Sequence, residues 1–254
     1  MGTRFELALV KQSLATVDLR AVGELALREI EEWHLRLTRF EPGSWLSHVN
    51  RTAAHEPVRL DDEVFPLFAD AVAVWRDSDG AFDIARGHGA AVALDEKAHT
   101  LRFLHELVAL DLGAIAKGHA LDCAAACLRS HGVTRALLQG GTSSAVALGR
   151  PLDATAWRIG MSATGSAEVA DQTIDLVDES FSLSDEASQP EAPSGRHITD
   201  PRAAAYAPPS HPPRRVIVTG PTARLADAWS TALAVLGAVP PEFPAAYTAR
   251  FLRE

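Results

Sequence analysis

The sequence has few cysteines and no excess of positive charge, and each shortage excludes a class of protein. Only two of the 254 residues are cysteine, so the chain is not a small domain built on disulfides. Lysine and arginine number 24 against 33 aspartate and glutamate, which gives a formal net charge of −9. Proteins that bind the phosphate backbone of nucleic acids depend on clustered cations. We therefore expect no nucleic-acid partner.

Long apolar runs are also lacking. A membrane-spanning helix needs about 20 consecutive apolar residues, and the stretch 225–236 is interrupted by Asp227, Ser230 and Thr231. We therefore expect no integral membrane segment. Residues 1–7 alternate like a strand and lack the basic head and apolar core of a signal peptide. The prediction is a cytoplasmic protein, or an exported or lipid-anchored one if a leader has been removed.

What the sequence does contain is a regular hydrophobic pattern. With 47% hydrophobic and 22% charged residues, the composition is that of a folded globular chain. Apolar residues at helical spacing predict four helices, at 22–40, after a capping Asp61, at 115–130, and from 221 to a terminating Gly237. Shorter alternating or β-branched runs predict strands at 7–10, 16–19, 136–138, 145–148, 157–161 and 214–219. A proline-rich stretch, 184–213, predicts a long surface loop.

Both cysteines fall on the third predicted helix. Cys123 and Cys127 are four residues apart, on the apolar face with Ala120, so we expect both in the core. That spacing suits a disulfide poorly, which favours a reducing compartment. His119 lies four residues before Cys123. Zinc needs more ligands than this helix offers, so a zinc site is disfavoured.

The fourth predicted helix carries a possible metal site. Asp227 and Thr231 lie one helical turn apart, outside the apolar stripe, so their side chains can converge on one point. A carboxylate and a hydroxyl suit a hard cation such as Mg²⁺, which prefers oxygen ligands. Spacing alone favours a solvated helix face over a metal site, and both interpretations stay open.

A segment rich in glycine precedes the third helix. Residues 111–118, Asp-Leu-Gly-Ala-Ile-Ala-Lys-Gly, are predicted to run from a strand into that helix. Free N–H groups at a helix start, together with the ammonium of Lys117, favour a phosphate. The spacing matches neither a P-loop nor a dinucleotide-binding glycine motif. A simple tight turn is the alternative.

Taken in chain order, these motifs resemble the FAD:protein FMN transferases, the ApbE family of flavin transferases. The resemblance covers nearly the whole chain. It is carried by Met-Gly-Thr at 1–3, the segment 37–50, Gly-Ala-Phe-Asp at 80–83, the segment 111–118, His-Ile-Thr-Asp-Pro-Arg at 197–202, and Ala-Asp-Ala-Trp-Ser-Thr-Ala-Leu at 226–233.

The resemblance implies a fold and a reaction. The implied fold is a mixed α/β (α+β) domain spanning 1–254, with two intimately packed lobes and FAD between them. The implied reaction is Mg²⁺-dependent transfer of FMN from FAD to a Thr or Ser hydroxyl of a target flavoprotein, with release of AMP. FAD hydrolysis to FMN and AMP is the first alternative. The second is a flavin-binding protein that has lost transfer.

The resemblance also implies site residues. Asp227 and Thr231 would bind Mg²⁺ through their side chains and Ala114 through its carbonyl, and His197 and Asp227 would be catalytic, His197 also contacting the nucleotide. The other implied cofactor-binding residues are Met1, Phe40, Ala81, Phe82, Asp83, Asp111 and Lys117. The pattern departs from the family's usual residues at 86–89, 140–143, 182–185 and 203–204.

Overall fold

The computed structural model describes residues 3–10, 18–161, 172–185, 198–203, 207–209, 211 and 215–252. Five α-helices and eleven strands lie along these described residues. The helices are α1 (Leu19–Leu37), α2 (Trp45–Thr52), α3 (Phe65–Asp77), α4 (Ala116–Ser130) and α5 (Ala223–Leu236). The strands are β1 (Phe5–Leu9), β2 (Val58–Arg59), β3 (Val92–Asp95), β4 (Thr100–Phe103), β5 (Ala136–Gly140), β6 (Ser144–Leu148), β7 (Trp157–Met161), β8 (Gln172–Leu176), β9 (Ser180–Asp185), β10 (Arg215–Gly220) and β11 (Thr248–Leu252).

A six-stranded antiparallel sheet forms the centre of the fold. Its strand order is β1-β5-β6-β9-β10-β11. Side chains alternate between the two faces of a strand. Accordingly Leu138, Val146 and Val218 share a buried cluster with helices α1, α4 and α5. Their neighbours Leu137 and Ala147 pack instead against the β7-β8 hairpin on the other face. The sheet is therefore covered on both faces.

A smaller group of elements continues the same core. Strands β2, β4 and β3 form a three-stranded sheet, and its buried residues join those of α2 and α3. Leu101 of β4, Phe68 of α3 and Trp229 of α5 all belong to one continuous buried cluster. The described residues thus form the mixed α+β fold predicted from the sequence. The two-lobed division, the placement of FAD between lobes and the extent of the domain stay predictions.

The helix predictions hold to within a few residues, but two strand predictions are wrong, the one at 16–19 and the one leading into α4. The strand expected at 16–19 overlaps the start of α1. Asp18 is the N-cap of that helix, and its carboxylate accepts the N–H groups of Arg20 at 3.0 Å and Ala21 at 3.3 Å. A capping aspartate satisfies otherwise unpaired N–H groups, which favours helix over strand at this point. Residues 11–17 lie outside the described part.

The prediction that both cysteines lie in the core is right only in part, since Cys123 packs against the buried cluster without being fully buried. Cys123 and Cys127 are free and only partly buried. Helix α4 packs against both α1 and α5. Its buried surface is therefore wider than the single apolar face predicted from helical spacing. The fully buried apolar residues of this surface are Ala120, Leu121, Ala124, Ala125 and Leu128. Burial raises the pKa of the Cys123 thiol to about 12, so this sulfur stays protonated at neutral pH.

His119 is a neutral core residue. Its ring packs edge-on against Trp33, with 4.3 Å between ring centroids, and only 2% of the residue is exposed. Burial lowers the pKa of His119 to about 3, and the nearby cations of Arg224 and Arg36 act in the same direction. Among the described residues, no three His, Cys, Asp or Glu side chains form a metal-binding group.

The helices in the described part of the chain are too short or too polar to span a bilayer.

Candidate functional site

The segment before α4 is an irregular loop, not the predicted strand. Its backbone is held by a side chain instead of a neighbouring strand. Asn50 of α2 donates from Nδ2 to the Leu110 carbonyl at 3.1 Å, and its Oδ1 accepts the Leu110 N–H at 2.8 Å. Asparagine can donate and accept at once, so it imitates one residue of a strand ladder. This pairing places Asp111 at the entrance to α4.

The anion at the start of α4 is a carboxylate of the chain itself. Asp227 of α5 accepts the Gly118 N–H at Oδ2 over 3.1 Å, and its Oδ1 is 3.0 Å from Lys117 Nζ. Asp227 is only 5% exposed. The solvated-face interpretation of this helix side is therefore wrong for Asp227. A helix N–H and an ammonium thus converge on one negative charge. Phosphate binding by 111–118 stays a prediction.

The two helices meet at a position that only glycine permits. A Cβ atom added to Gly118 would lie 2.2 Å from the Ala223 carbonyl oxygen. That oxygen belongs to the backbone of α5 and cannot rotate away. Close approach of the helices is what allows the Gly118 N–H to reach Asp227.

Four buried serines extend the Asp227 cluster. Ser182 Oγ donates to Asp227 Oδ1 at 2.9 Å and lies 3.3 Å from Ser144 Oγ, which is hydrogen bonded to Lys117 Nζ. Ser230 Oγ is 3.2 Å from Ser182 Oγ and 2.9 Å from Ser184 Oγ. Sequence reasoning missed these serines as site residues. The available signal was their alternation at 182 and 184 on β9, which places both on the face that meets α5.

The predicted nucleotide loops are tied together by an ion pair and a backbone hydrogen bond. Arg39 Nε lies 2.9 Å from Asp111 Oδ2, and its guanidinium stacks 4.4 Å from the ring centroid of Phe40. The Asp111 N–H donates to the Ile84 carbonyl at 2.7 Å, next to Asp83. Three segments that are distant in sequence, 39–40, 83–84 and 111, therefore meet here.

Comparisons with known proteins identify the family of this chain. The family model described as the ApbE family matches residues 1–243. The chain belongs to the ApbE family. No curated protein matches it in sequence. Solved structures of the family do match its fold.

Three ApbE structures are similar to this chain. The ApbE protein of Thermotoga maritima has a TM-score of 0.81 and 22% identity, over 93% of this chain and 84% of that one. The flavinyl transferase ApbE of Pseudomonas stutzeri, in its apo form, has a TM-score of 0.79 and 23% identity, over 98% and 87%. The flavin transferase ApbE of Vibrio cholerae has a TM-score of 0.74 and 19% identity, over 93% and 84%. At these identities the likeness establishes the fold.

In this ApbE-family chain the oxygen atoms near Asp227 suit Mg²⁺. Thr231 Oγ1 lies one turn along α5 and donates to the Asp227 carbonyl at 3.2 Å. The Gly118 N–H, which in a regular helix would donate to the Ala114 carbonyl, donates to Asp227 instead. A carboxylate has about four acceptor positions, and Lys117, Gly118 and Ser182 use three of them. One acceptor position of the carboxylate therefore remains for a cation. The candidate ligand atoms, on Asp227, Thr231 and Ala114, are all oxygens, as Mg²⁺ prefers.

The remaining predicted residues in the described part of the chain make other contacts, and two lie outside that part. Asp83 accepts three backbone N–H groups, from Ala85, Gly87 and Gly89, at 2.7, 2.7 and 3.0 Å. Its carboxylate thus shapes its own loop. The side chains of Ala81 and Phe82 are 1% exposed and belong to the core, whereas Phe40 is 76% exposed. Met1 and His197 lie outside the described residues.

Proposed function

We propose that this protein transfers FMN from FAD to a Thr or Ser hydroxyl of a target flavoprotein, with Mg²⁺ as the required metal and AMP as the second product. The observation that carries the proposal is the buried Asp227 cluster at the crossing of α4 and α5 in an ApbE-family chain. Phosphoryl transfer depends mainly on positioning and on neutralising phosphate charge. Two packed helices would hold the cluster in a fixed position, and Lys117 with the proposed Mg²⁺ would neutralise the phosphate charge.

The residues of the cluster have separable tasks in this proposal. Asp227, Thr231 and the Ala114 carbonyl would hold Mg²⁺, which when bound neutralises charge on the pyrophosphate of FAD. Lys117 holds Asp227 in place through a hydrogen-bonded ion pair of 3.0 Å. We infer that Lys117 shares the negative charge of Asp227 and of the pyrophosphate.

The nucleotide would lie along the tied loops. Asp111 is fixed by Arg39, and Phe40 offers an exposed aromatic face beside the same arginine. An aromatic ring and a guanidinium plane both stack on flat heterocycles. Asp83 keeps the neighbouring loop in shape through its three backbone contacts. We therefore assign Phe40 and Asp111 to nucleotide contact and Asp83 to loop support.

Product analysis tests the proposal. The protein is incubated with FAD and Mg²⁺, alone and with a flavin-depleted cell extract as the source of acceptor hydroxyls. We expect AMP to accumulate only with the extract, together with flavin fluorescence that stays on a protein band after denaturation. Peptide mapping should place the FMN on Thr or Ser. AMP with free FMN and no extract would instead identify a pyrophosphatase, and intact bound FAD a binding protein.

His197→Ala should separate binding from transfer. If the imidazole accepts the proton of the acceptor hydroxyl, the variant keeps FAD affinity and loses most of the transfer rate, since general bases contribute about 10² to 10⁴ in rate. FAD titration and AMP release in the presence of extract measure the two quantities. An equal loss of both would assign His197 a structural role.

Lys117→Ala should weaken FAD binding. Charge-assisted contacts are worth about 1.5 to 3 kcal/mol, which corresponds to about ten- to a hundredfold in the dissociation constant. Riboflavin has no phosphate, so its affinity should not change. Lys97 lies exposed in a turn, and Lys97→Ala is the matched control. Fluorescence titration of the variants with FAD and riboflavin measures the dissociation constants. Unchanged FAD affinity in Lys117→Ala would contradict the phosphate role.

A further inference from the structure

Helices α4 and α5 hold each other through a reciprocal pair of carboxylates. Asp122 of α4 accepts the Ala223 N–H at 2.8 Å with Oδ1 and the Arg224 N–H at 2.9 Å with Oδ2. Asp227 of α5 accepts the Gly118 N–H in the opposite direction. Each helix therefore donates a backbone N–H and, four residues later, supplies a carboxylate. In α4 these are Gly118 and Asp122, and in α5 they are Ala223 and Asp227. The N-terminus of each helix is thus bound by the other helix.

Asp122 replaces the usual capping residue of α5. The N-cap residue, Thr222, makes no side-chain bond to the helix, because its hydroxyl bonds the Tyr247 hydroxyl at 2.8 Å. The first N–H groups of a helix need acceptors. Asp122 supplies them from 101 residues earlier in the chain. The position of the first turn of α5 therefore depends on α4.

We propose that Asp122 is a positioning residue of the candidate site: by holding the first turn of α5 against α4, it sets where Asp227 and Thr231 stand relative to Gly118 and Lys117. The effect of Asp122 on metal and nucleotide binding rests on the proposed function. Its effect on the position of Asp227 relative to Gly118 does not depend on any ligand. Asp122 touches neither proposed ligand, so it acts through the helix that carries Asp227.

Asparagine at 122 is the sharpest perturbation. An amide keeps one acceptor oxygen but turns an NH₂ donor toward a backbone N–H donor, so one of the two bonds is lost while the volume is kept. Asp70→Asn is the matched control. Asp70 binds the guanidinium of Arg224, at 2.7 Å from Nε and 2.6 Å from Nη2. Within the described part of the chain, it accepts no backbone N–H of α5.

The interaction by which Asp122 holds the first turn of α5 against α4 is called the clamp. Amide hydrogen exchange at Gly118 tests it without any ligand. Gly118 is four residues from Asp122 along α4, and its N–H is protected by Asp227. We expect Asp122→Asn to speed exchange of the Gly118 amide by about tenfold, the factor for 1.4 kcal/mol, and Asp70→Asn to leave it unchanged. Unchanged exchange in Asp122→Asn, or equal acceleration in both variants, would overturn the proposal whatever the protein binds.

Magnesium-dependent FAD binding tests the functional part. We expect Asp122→Asn to weaken FAD binding in Mg²⁺ by about tenfold, with affinity in EDTA unchanged and the control unaffected. If the wild type shows no effect of Mg²⁺ on FAD binding while Gly118 exchange responds as expected, the clamp stands and the proposed function fails. Equal affinity of Asp122→Asn and wild type in Mg²⁺ would remove Asp122 from the site.

The pH profile separates positioning from simple stabilisation. Burial raises the pKa of Asp122 to about 6, against the opposing effect of the Arg224 and Ala223 N–H groups. Other charged or titratable groups that face Asp122 or its partner Arg224 are Arg129, Cys123, His119, Asp70 and Tyr247.

Because the folded state favours the protonated carboxyl, the contribution of Asp122 to folding stability rises as the pH falls through about 6. The clamp weakens over the same interval, since a protonated carboxyl has lost an acceptor position. FAD affinity in Mg²⁺ should therefore drop below about pH 6 in the wild type, and this step should disappear in Asp122→Asn. A step of equal size in both proteins would overturn the proposal.

Discussion

Asp227→Asn is expected to abolish AMP release and to give the largest loss of stability of any single substitution in the site. The change leaves the Lys117 ammonium, whose side chain is 17% exposed, without its carboxylate. Removing one partner of a buried ion pair costs about 3 to 5 kcal/mol. Urea unfolding measures the stability, and AMP release at limiting Mg²⁺ measures the activity. Thr231→Ala should weaken AMP release without abolishing it, since a hydroxyl is a neutral ligand.

An exposed ion pair provides the control for Asp227. Asp175 binds Arg158 on the surface at 2.7 Å, with 45% of its side chain exposed. Solvated pairs contribute little to stability. We therefore expect Asp175→Asn to unfold at the wild-type urea concentration and to release AMP normally. Full AMP release by a folded Asp227→Asn protein would contradict the metal-ligand assignment.

Gly118→Ala is expected to force α4 and α5 apart. The added methyl group would lie 2.2 Å from the Ala223 carbonyl oxygen, well inside van der Waals contact. Overpacking costs about 1 to 3 kcal/mol and sometimes more, which exceeds the gain of about 1 kcal/mol from the better helix former. The Gly118 N–H should also lose Asp227, so AMP release falls with stability. Urea unfolding and AMP release measure the two effects.

Gly43→Ala is the control for that substitution. A Cβ at Gly43 meets nothing within 4 Å. We expect its stability to be unchanged or raised by a few tenths of a kcal/mol, since alanine lowers the entropy of the unfolded chain. If Gly118→Ala is as stable as Gly43→Ala, the close helix crossing is not a constraint on this fold.

Strand β9 shows how a sequence pattern can be misjudged. Its alternation of serine with Phe181 and Leu183 is regular, yet the sequence analysis predicts no strand there, and Ser184 falls at the start of the predicted loop 184–213. Phe181 packs toward the β7-β8 hairpin, whereas Ser182 and Ser184 face α5. Buried hydroxyls are stable there because they bond one another and Asp227. A polar face of a strand can therefore be an interior face.

The sequence by itself determined the positions of the main helices, the strands at 136–138, 145–148 and 157–161, and the family motifs. Helical spacing also placed Asp227 and Thr231 one turn apart, since side chains four residues apart lie on one face. These features are local, because periodicity and capping act over a few residues. The same locality explains why the sequence predicts a phosphate or a tight turn at 111–118 and does not reveal the contact with Asp227, 109 residues from Gly118.

Only the tertiary structure decided which anion meets α4. Gly118 and Asp227 are 109 residues apart in the chain, and Asp122 and Ala223 are 101 apart. Their contacts exist because α4 and α5 pack closely on one face of the central sheet, at the point where Gly118 has no side chain. Packing also buries Asp227 and leaves both cysteines only partly buried. Burial depends on all the elements that cover a helix, and no single segment specifies it.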